Sequence, residues 1–205
     1  MNRRMTIVAL TQKFSNPKNL TALHLGLLRQ FCGMSYIVVY AGQVISRVKE
    51  VDASITPVVI NLIQLVAGLA GIWIVGVFSR GALILSSSWL MGVINLIIGV
   101  SDILEEPVFC IVMMSIFMIP CAAGLNSVVY AYPSELVVAS QGKYASALSW
   151  IGSATVTLAP PFIVAAVPGN LAYPIFFFFA FYLGVACFIN ALLVEPLSKS
   201  ASKSQ

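Results

Sequence analysis

LLRQFCGMSYIVVY, residues Leu27–Tyr40, is the stretch whose reading decides the fold class. It lies in an apolar run from about residue 21 to 46, long enough to cross a hydrocarbon core of ~30 Å. Yet it sets Arg29 beside Gln30 and follows them with Cys32, Gly33, Ser35, Tyr36 and Tyr40. At ~1.5 Å rise per residue Arg29 stands ~12 Å into the span. An arginine near mid-bilayer costs ~2.5–3.5 kcal/mol on insertion scales, so it must face a wet cavity or a polar partner. Read as one continuous helix, the stretch puts Arg29, Gly33, Tyr36, Tyr40 and Gln43 on one stripe that lines something other than lipid.

The rest of the chain has the same character. It is 205 residues long, 60% hydrophobic and 9% charged, with a mean hydropathy of +0.97. A soluble domain carries about 25% charged residues, so this is an integral membrane protein. Apolar runs near 21–46, 55–79, 81–100, 107–132, 144–167 and 172–194 predict six transmembrane helices, and no ten-residue alternating stretches suggest a β-barrel. These divide the chain into an N-terminal segment 1–20, a six-span membrane domain 21–194 and a tail 195–205.

Charge follows this topology rather than any nucleic-acid partner. Arg3, Arg4, Lys13, Lys18, Arg80, Lys143, Lys199 and Lys203 fall on one side of the predicted membrane, and Arg47 and Lys49 on the other. The positive-inside rule then places both termini in the cytoplasm. The loop SDILEEP, with Asp102, Glu105 and Glu106, reads as a solvated outer cap.

Polar side chains concentrate in the first, second, fourth and fifth spans: Arg29, Gln30, Ser35, Asn61, Gln64, Asn126, Tyr130, and the hydroxyls of Ser146, Ser149, Ser153, Thr155 and Thr157 before Pro160-Pro161. The third and sixth spans read as mainly lipid-facing, Ser86–Ser88 and Asn95 notwithstanding. An internal echo, GMSYIVVYA at 33–41 against GLNSVVYA at 124–131, falls in the first and fourth spans, as two inverted three-span repeats would require. The four cysteines, Cys32, Cys110, Cys121 and Cys187, all lie in apolar segments without a CxxC pair and read as buried, reduced residues. His24 reads as an interfacial histidine. Nothing resembles a nucleophile–base pair, a metal-ligand cluster or a phosphate loop, so no enzyme, cofactor or metal is expected.

Four partial motifs in order give the chain a family likeness. LLRQFCGMSYIVVY resembles the seventh-span signature of the sugar porters of the major facilitator superfamily, Gln-Gln-x-Ser-Gly-x-Asn followed by a Tyr pair. Gln30, Gly33 and Tyr40 keep the pattern, while Arg29 stands at the first Gln, Cys32 at the Ser and Ser35 at the Asn. IVGVFSRGAL resembles the cytoplasmic Asp-Arg-x-Gly-Arg-Arg loop, with Arg80 at the first Arg of its pair, and counting back puts Gln64 at a substrate-facing Asn. PSELVVASQ resembles the Ser-Glu-Ile/Leu-Phe-Pro-x-x-x-Arg motif, with Glu135 in place and Tyr130 where the family closes a tryptophan over sugar. VEPLSKS resembles the Pro-Glu-Thr-Leu-Gly-Lys-Ser tail.

The resemblance implies an all-α transmembrane fold, a six-helix bundle of two inverted three-helix repeats, equivalent to the C-terminal half of a major facilitator. It implies transport of a small polar solute, a sugar or sugar-like molecule, by alternating access. Arg29, Gln30, Ser35, Gln64, Asn126 and Tyr130 are the expected substrate contacts, and Arg80 with Glu135 a cytoplasmic charge network. The expected partners are the lipid bilayer, the solute, and an N-terminal six-span half or a second chain. The alternative is a non-transporting membrane subunit, favoured by the eroded cytoplasmic loop.

Overall fold

Glycine at position 33 ends one helix and starts the next. It is the only described glycine with positive φ, +98°, a backbone conformation that Cβ disfavours in other residues. The first span is therefore two half-helices, α1 (Pro17–Phe31) and α2 (Met34–Ile45), rather than the single helix expected. The computed structural model describes residues 17–45, 55–129 and 172–202, together with 154, 155, 158 and 162. Apart from those four residues the predicted fifth span lies outside these, and so do Tyr130, Glu135, the N-terminal residues 1–16 and the side chains of Tyr40 and Gln43.

The described residues are all-helical. Helix α3 runs Ile55–Val77 and α4 Arg80–Ile103. Ser79 starts α4 as its N-cap, its hydroxyl accepting from the Ala82 N–H at 3.3 Å. A tight connection with Glu105 at φ 57° leads to Pro107, the first residue of α5 (Pro107–Ile119), where a missing N–H costs nothing. At Pro120 the ring crowds the Ile116 carbonyl and supplies no N–H. The chain widens there into a π-helical turn, Pro120–Asn126, and resumes as the short α6, Ser127–Val129. Ser127 Oγ donates to the Ala122 carbonyl at 2.9 Å, supporting the widened turn. The last helix, α7, spans Tyr173–Ser202.

Among the described residues four stretches are long and apolar enough to cross a membrane: Val58–Val77, Arg80–Ile103, Pro107–Val129 and Tyr173–Leu192, of 20, 24, 23 and 20 residues. At ~1.5 Å per residue each reaches about 30 Å or more. The split first span adds two shorter pieces.

Helices α4 and α7 form the most extensive interface, which corrects the expectation that the third and sixth spans face lipid. Ser87, Ser88 and Asn95 of α4 and Phe176, Phe179 and Leu183 of α7 are buried. The reason is the break at Gly33. A Cβ there would stand 2.8 Å from Phe179 Cδ2, so the bare backbone lets the α7 ring pack into the gap between half-helices. Tyr36 then turns toward α7, its ring 5.4 Å from Phe176 and 6.0 Å from Phe179, and is 2% exposed. It leaves the stripe that a continuous helix would share with Arg29.

Helix α3 departs from expectation in the opposite sense. Only 17% of its membrane stretch is buried, against 50% for α4 and for Pro107–Val129. Its contact face is narrow: at Gly71 a Cβ would overlap Ser127 Oγ, so α3 and the π-helical turn approach backbone to backbone.

The loop after α4, expected to be solvated, is so only in part. Glu105 and Glu106 are exposed, but Asp102 is buried and its Oδ2 accepts the N–H groups of Ala172 at 2.5 Å and Tyr173 at 2.8 Å. A carboxylate thus caps the start of α7, where the helix dipole favours negative charge.

Candidate functional site

The two irregular turns, the break at Cys32–Gly33 and the π-helical turn Pro120–Asn126, abut each other in the bundle. Asn126 Nδ2 donates to Met34 Sδ at 3.2 Å, joining the fourth span to the first residue of α2. These are also the two places where the sequence repeats itself, with Gly33 and Gly124 at equivalent points of the echo. Interrupted helices in membranes persist only where freed backbone groups find partners in protein or a water-lined cavity.

Three groups serve the break directly. Asn95 Nδ2 of α4, fully buried, donates to the Cys32 carbonyl at 3.1 Å. The Cys32 thiol donates to the Arg29 carbonyl at 3.0 Å. Arg29 itself occupies the last turn of α1, where unpaired carbonyls favour a cation by ~0.3–1 kcal/mol. Its Nε is buried.

Around this break the structure gathers four of the residues expected from sequence. Ser35 Oγ donates to Gln30 Oε1 at 3.3 Å across the gap, so the two half-helices share one polar group. Asn126 approaches Met34, the neighbour of Ser35, and its Oδ1 is buried with no hydrogen-bond partner among the described residues. Arg29 completes the set. Gln64 does not join it: half-buried on α3, it lies seven residues before Gly71 and ~10 Å along the axis from that contact with the π-helical turn. Tyr130 lies outside the described residues, and so does Glu135. Arg80 is the half-buried first residue of α4.

Sequence reasoning missed Asn95, which is now the residue holding the Cys32 carbonyl. The available signal was a lone amide in an otherwise apolar span, and it was set aside because the span was assigned to lipid. The link between His24 Nε2 and Asn190 Oδ1, 3.0 Å apart, ties α1 to α7 and had no local signature. Elsewhere, a shallow groove of about 460 Å³ between the end of α4 and the start of α5, lined by Leu96, Val100, Leu104, Phe109 and Glu106, holds none of the expected site residues.

Comparison with known proteins bears on what such a group of residues does. A family model described as Sugar (and other) transporter matches residues 3–199. Among curated proteins the chain is similar to sugar transporter ERD6-like 18 of Arabidopsis thaliana, with 25% identity over 150 residues. That alignment takes in 67% of this chain but 31% of the relative's length.

Proposed function

This chain belongs to the Sugar (and other) transporter family, a family of transporters rather than enzymes, and on that premise we propose that it supplies one wall of a pathway for a small polyhydroxylated solute. The observation that carries the reading is the Asn126 amide: its Oδ1 is a buried acceptor awaiting a donor, on a side chain that touches Met34, the neighbour of Ser35 in the Gln30–Ser35 pair. A hydroxyl group donates to such an acceptor and accepts from Arg29, so a sugar-like molecule matches both. Leaving a buried acceptor unsatisfied costs ~1–3 kcal/mol, which binding would recover.

Transport needs an opposite wall. The chain is read here as half of an alternating-access transporter, pairing with a six-span N-terminal half in the same or a separate polypeptide, both of its termini in the cytoplasm. Arg29, Gln30, Ser35 and Asn126 contact the solute, with Gln64 and Tyr130 approaching as the halves close. Arg80 and Glu135 belong to the cytoplasmic charge network that holds one conformation. Support for the last point is electrostatic: an arginine at the first position of α4 opposes the helix dipole and calls for a carboxylate nearby.

The test is uptake of labelled hexoses and polyols by proteoliposomes containing this chain with a six-span N-terminal half. Asn126→Leu should raise the apparent KM about 3–10-fold, the worth of one hydrogen bond of ~0.5–1.5 kcal/mol. Arg29→Leu should abolish uptake while leaving insertion intact, and Arg29→Gln should shift preference toward neutral sugars. Unchanged uptake in both Leu variants would remove the site. The second reading, a non-transporting subunit, is favoured by Gly76 and Gly81 standing where the family's cytoplasmic loop carries charge. It predicts stable association with a partner but no uptake for any variant.

A further inference from the structure

Where α4 gives way to α5, an apolar groove meets a carboxylate that the fold does not use. Leu96, Val100 and Leu104 recur at intervals of four along the end of α4, Leu104 being its C-cap, and so share one face. With Phe109 of α5 they line the groove of about 460 Å³, and all four are exposed. From Leu104 to Leu96 this wall runs ~12 Å at ~1.5 Å rise per residue, most of the ~15 Å depth of one leaflet. Other faces of α4 belong to the core, where Asn95, Ile98 and Asp102 are buried. Ser101 also borders the groove, but its hydroxyl donates to the Ile97 carbonyl at 2.7 Å. Glu106 is therefore the residue that gives the groove a charge. It is exposed and stands at the N-cap of α5, yet its side chain makes no cap hydrogen bond. Glu105, also exposed, adds a second negative charge to the same turn. Arg80, the basic residue of α4, is at the opposite end of that helix.

We infer that this groove is a binding site for phosphatidylethanolamine: one acyl chain lies along Leu96, Val100, Leu104 and Phe109, and the primary ammonium of the head donates to the Glu106 carboxylate. An acidic residue over an apolar wall at the end of a membrane span suits an amphiphile with a cationic group at its polar end. The phosphate of the head has a place as well. First-turn N–H groups of a helix lack intrahelical partners, the Glu106 side chain does not close on those of α5, and the helix dipole favours negative charge there. Phosphatidylcholine offers the same phosphate and chains, but its quaternary ammonium has no N–H to donate. Phosphatidylglycerol keeps the phosphate and lacks the cation, so the two glutamates repel it. Bulk lipid would wet the same wall without regard to head group, and selection among the three is what makes this a site.

The site uses α4 and α5 alone and does not rest on the proposed function, so its test needs no transport. The full chain is reconstituted in nanodiscs holding equal amounts of dioleoyl phosphatidylethanolamine, phosphatidylcholine and phosphatidylglycerol. Lipids that stay with the protein after transfer to mild detergent are then counted by native mass spectrometry. Phosphatidylethanolamine should be retained about 2–5-fold over phosphatidylcholine, the ratio expected of one solvent-accessible ion pair, with phosphatidylglycerol lowest. Glu106→Gln keeps the shape and removes the charge, and should bring phosphatidylethanolamine and phosphatidylcholine to equal counts. Its thermal unfolding midpoint should match that of the parent, because the side chain caps no N–H. Glu105→Gln, at a residue that does not line the groove, should keep the preference. Val100→Trp fills the groove and should lower the phosphatidylethanolamine count. Equal retention of the three lipids by the parent, or an excess of phosphatidylglycerol, overturns the proposal. So does a preference that survives Glu106→Gln, or a phosphatidylethanolamine count that Val100→Trp leaves unchanged. Loss of the preference in Glu105→Gln as well would assign it to the charge of the whole turn, and that too overturns a site in the groove.

Discussion

A methyl group at residue 33 has nowhere to go. Gly33 combines φ +98° with a Cβ position 2.8 Å from the Phe179 ring, two penalties of different origin. The left-handed backbone costs an ordinary residue roughly 1–2 kcal/mol and the overlap with an aromatic ring in a packed core about as much again. Gly33→Ala should therefore lower unfolding stability by about 2–4 kcal/mol, read as a shifted midpoint in detergent denaturation. Adding Phe179→Leu should return only the steric part, because no change on α7 relaxes φ. Full recovery in the double variant would mean that the backbone at residue 33 is not strained by a side chain.

At the scale of elements, two side chains from α4 decide where other helices begin and end. Asn95 receives the carbonyl end of α1 and Asp102 the amide start of α7. Asp102→Asn keeps the shape and one acceptor but removes a charge at a helix N-terminus. It should cost ~1 kcal/mol, and Asp102→Ala more, because both N–H groups then lose their partner. Hydrogen exchange at Ala172 and Tyr173 should quicken in the same order; equal exchange in all three proteins would show that the carboxylate does not hold the helix. These caps explain the limits of the sequence reading. Helix existence was legible because apolar runs of membrane length have few alternatives, and the gathering of Arg29, Gln30, Ser35 and Asn126 followed from polar residues that lipid would reject. What the residues could not tell is how a break redirects a face. Gly33 was read as a small residue on a helical stripe, and only its positive φ sends Tyr36 to Phe176 and Phe179 instead of toward Arg29. Once that happens α7 and α4 become core, and a span that looked featureless acquires a packing role. The contact of Asn126 with Met34, 92 positions apart, likewise depends on two irregular turns meeting in space.

At the scale of the whole molecule the described bundle is lopsided. Helices α4 and α7 enclose each other, while α3 presents Leu62, Leu65, Leu69, Ile72 and Trp73 outward, Trp73 at 81% exposure. Exposed apolar side chains on a membrane helix are ordinary against lipid, so burial alone does not say what covers them. The arrangement of function does bear on it: α3 packs through Gly71 onto the same π-helical turn that carries Asn126 and Cys121, so whatever meets the open face of α3 also borders the candidate site. A second half that rocks against this one would move along α3, and a lipid annulus would not. With single cysteines at Leu65 and Ile72 in a chain otherwise free of them, thiol cross-linking to an N-terminal six-span half should trap one dimeric band. Its yield should change by several-fold when a hexose is added, since solute binding shifts the balance between the two orientations only through unequal affinity for them. Cysteines at Leu96 and Val100, on the groove between α4 and α5, serve as the lipid-facing comparison and should not cross-link. Equal cross-linking at both pairs of positions would make the open face of α3 a lipid surface, and the half-transporter arrangement would lose its interface.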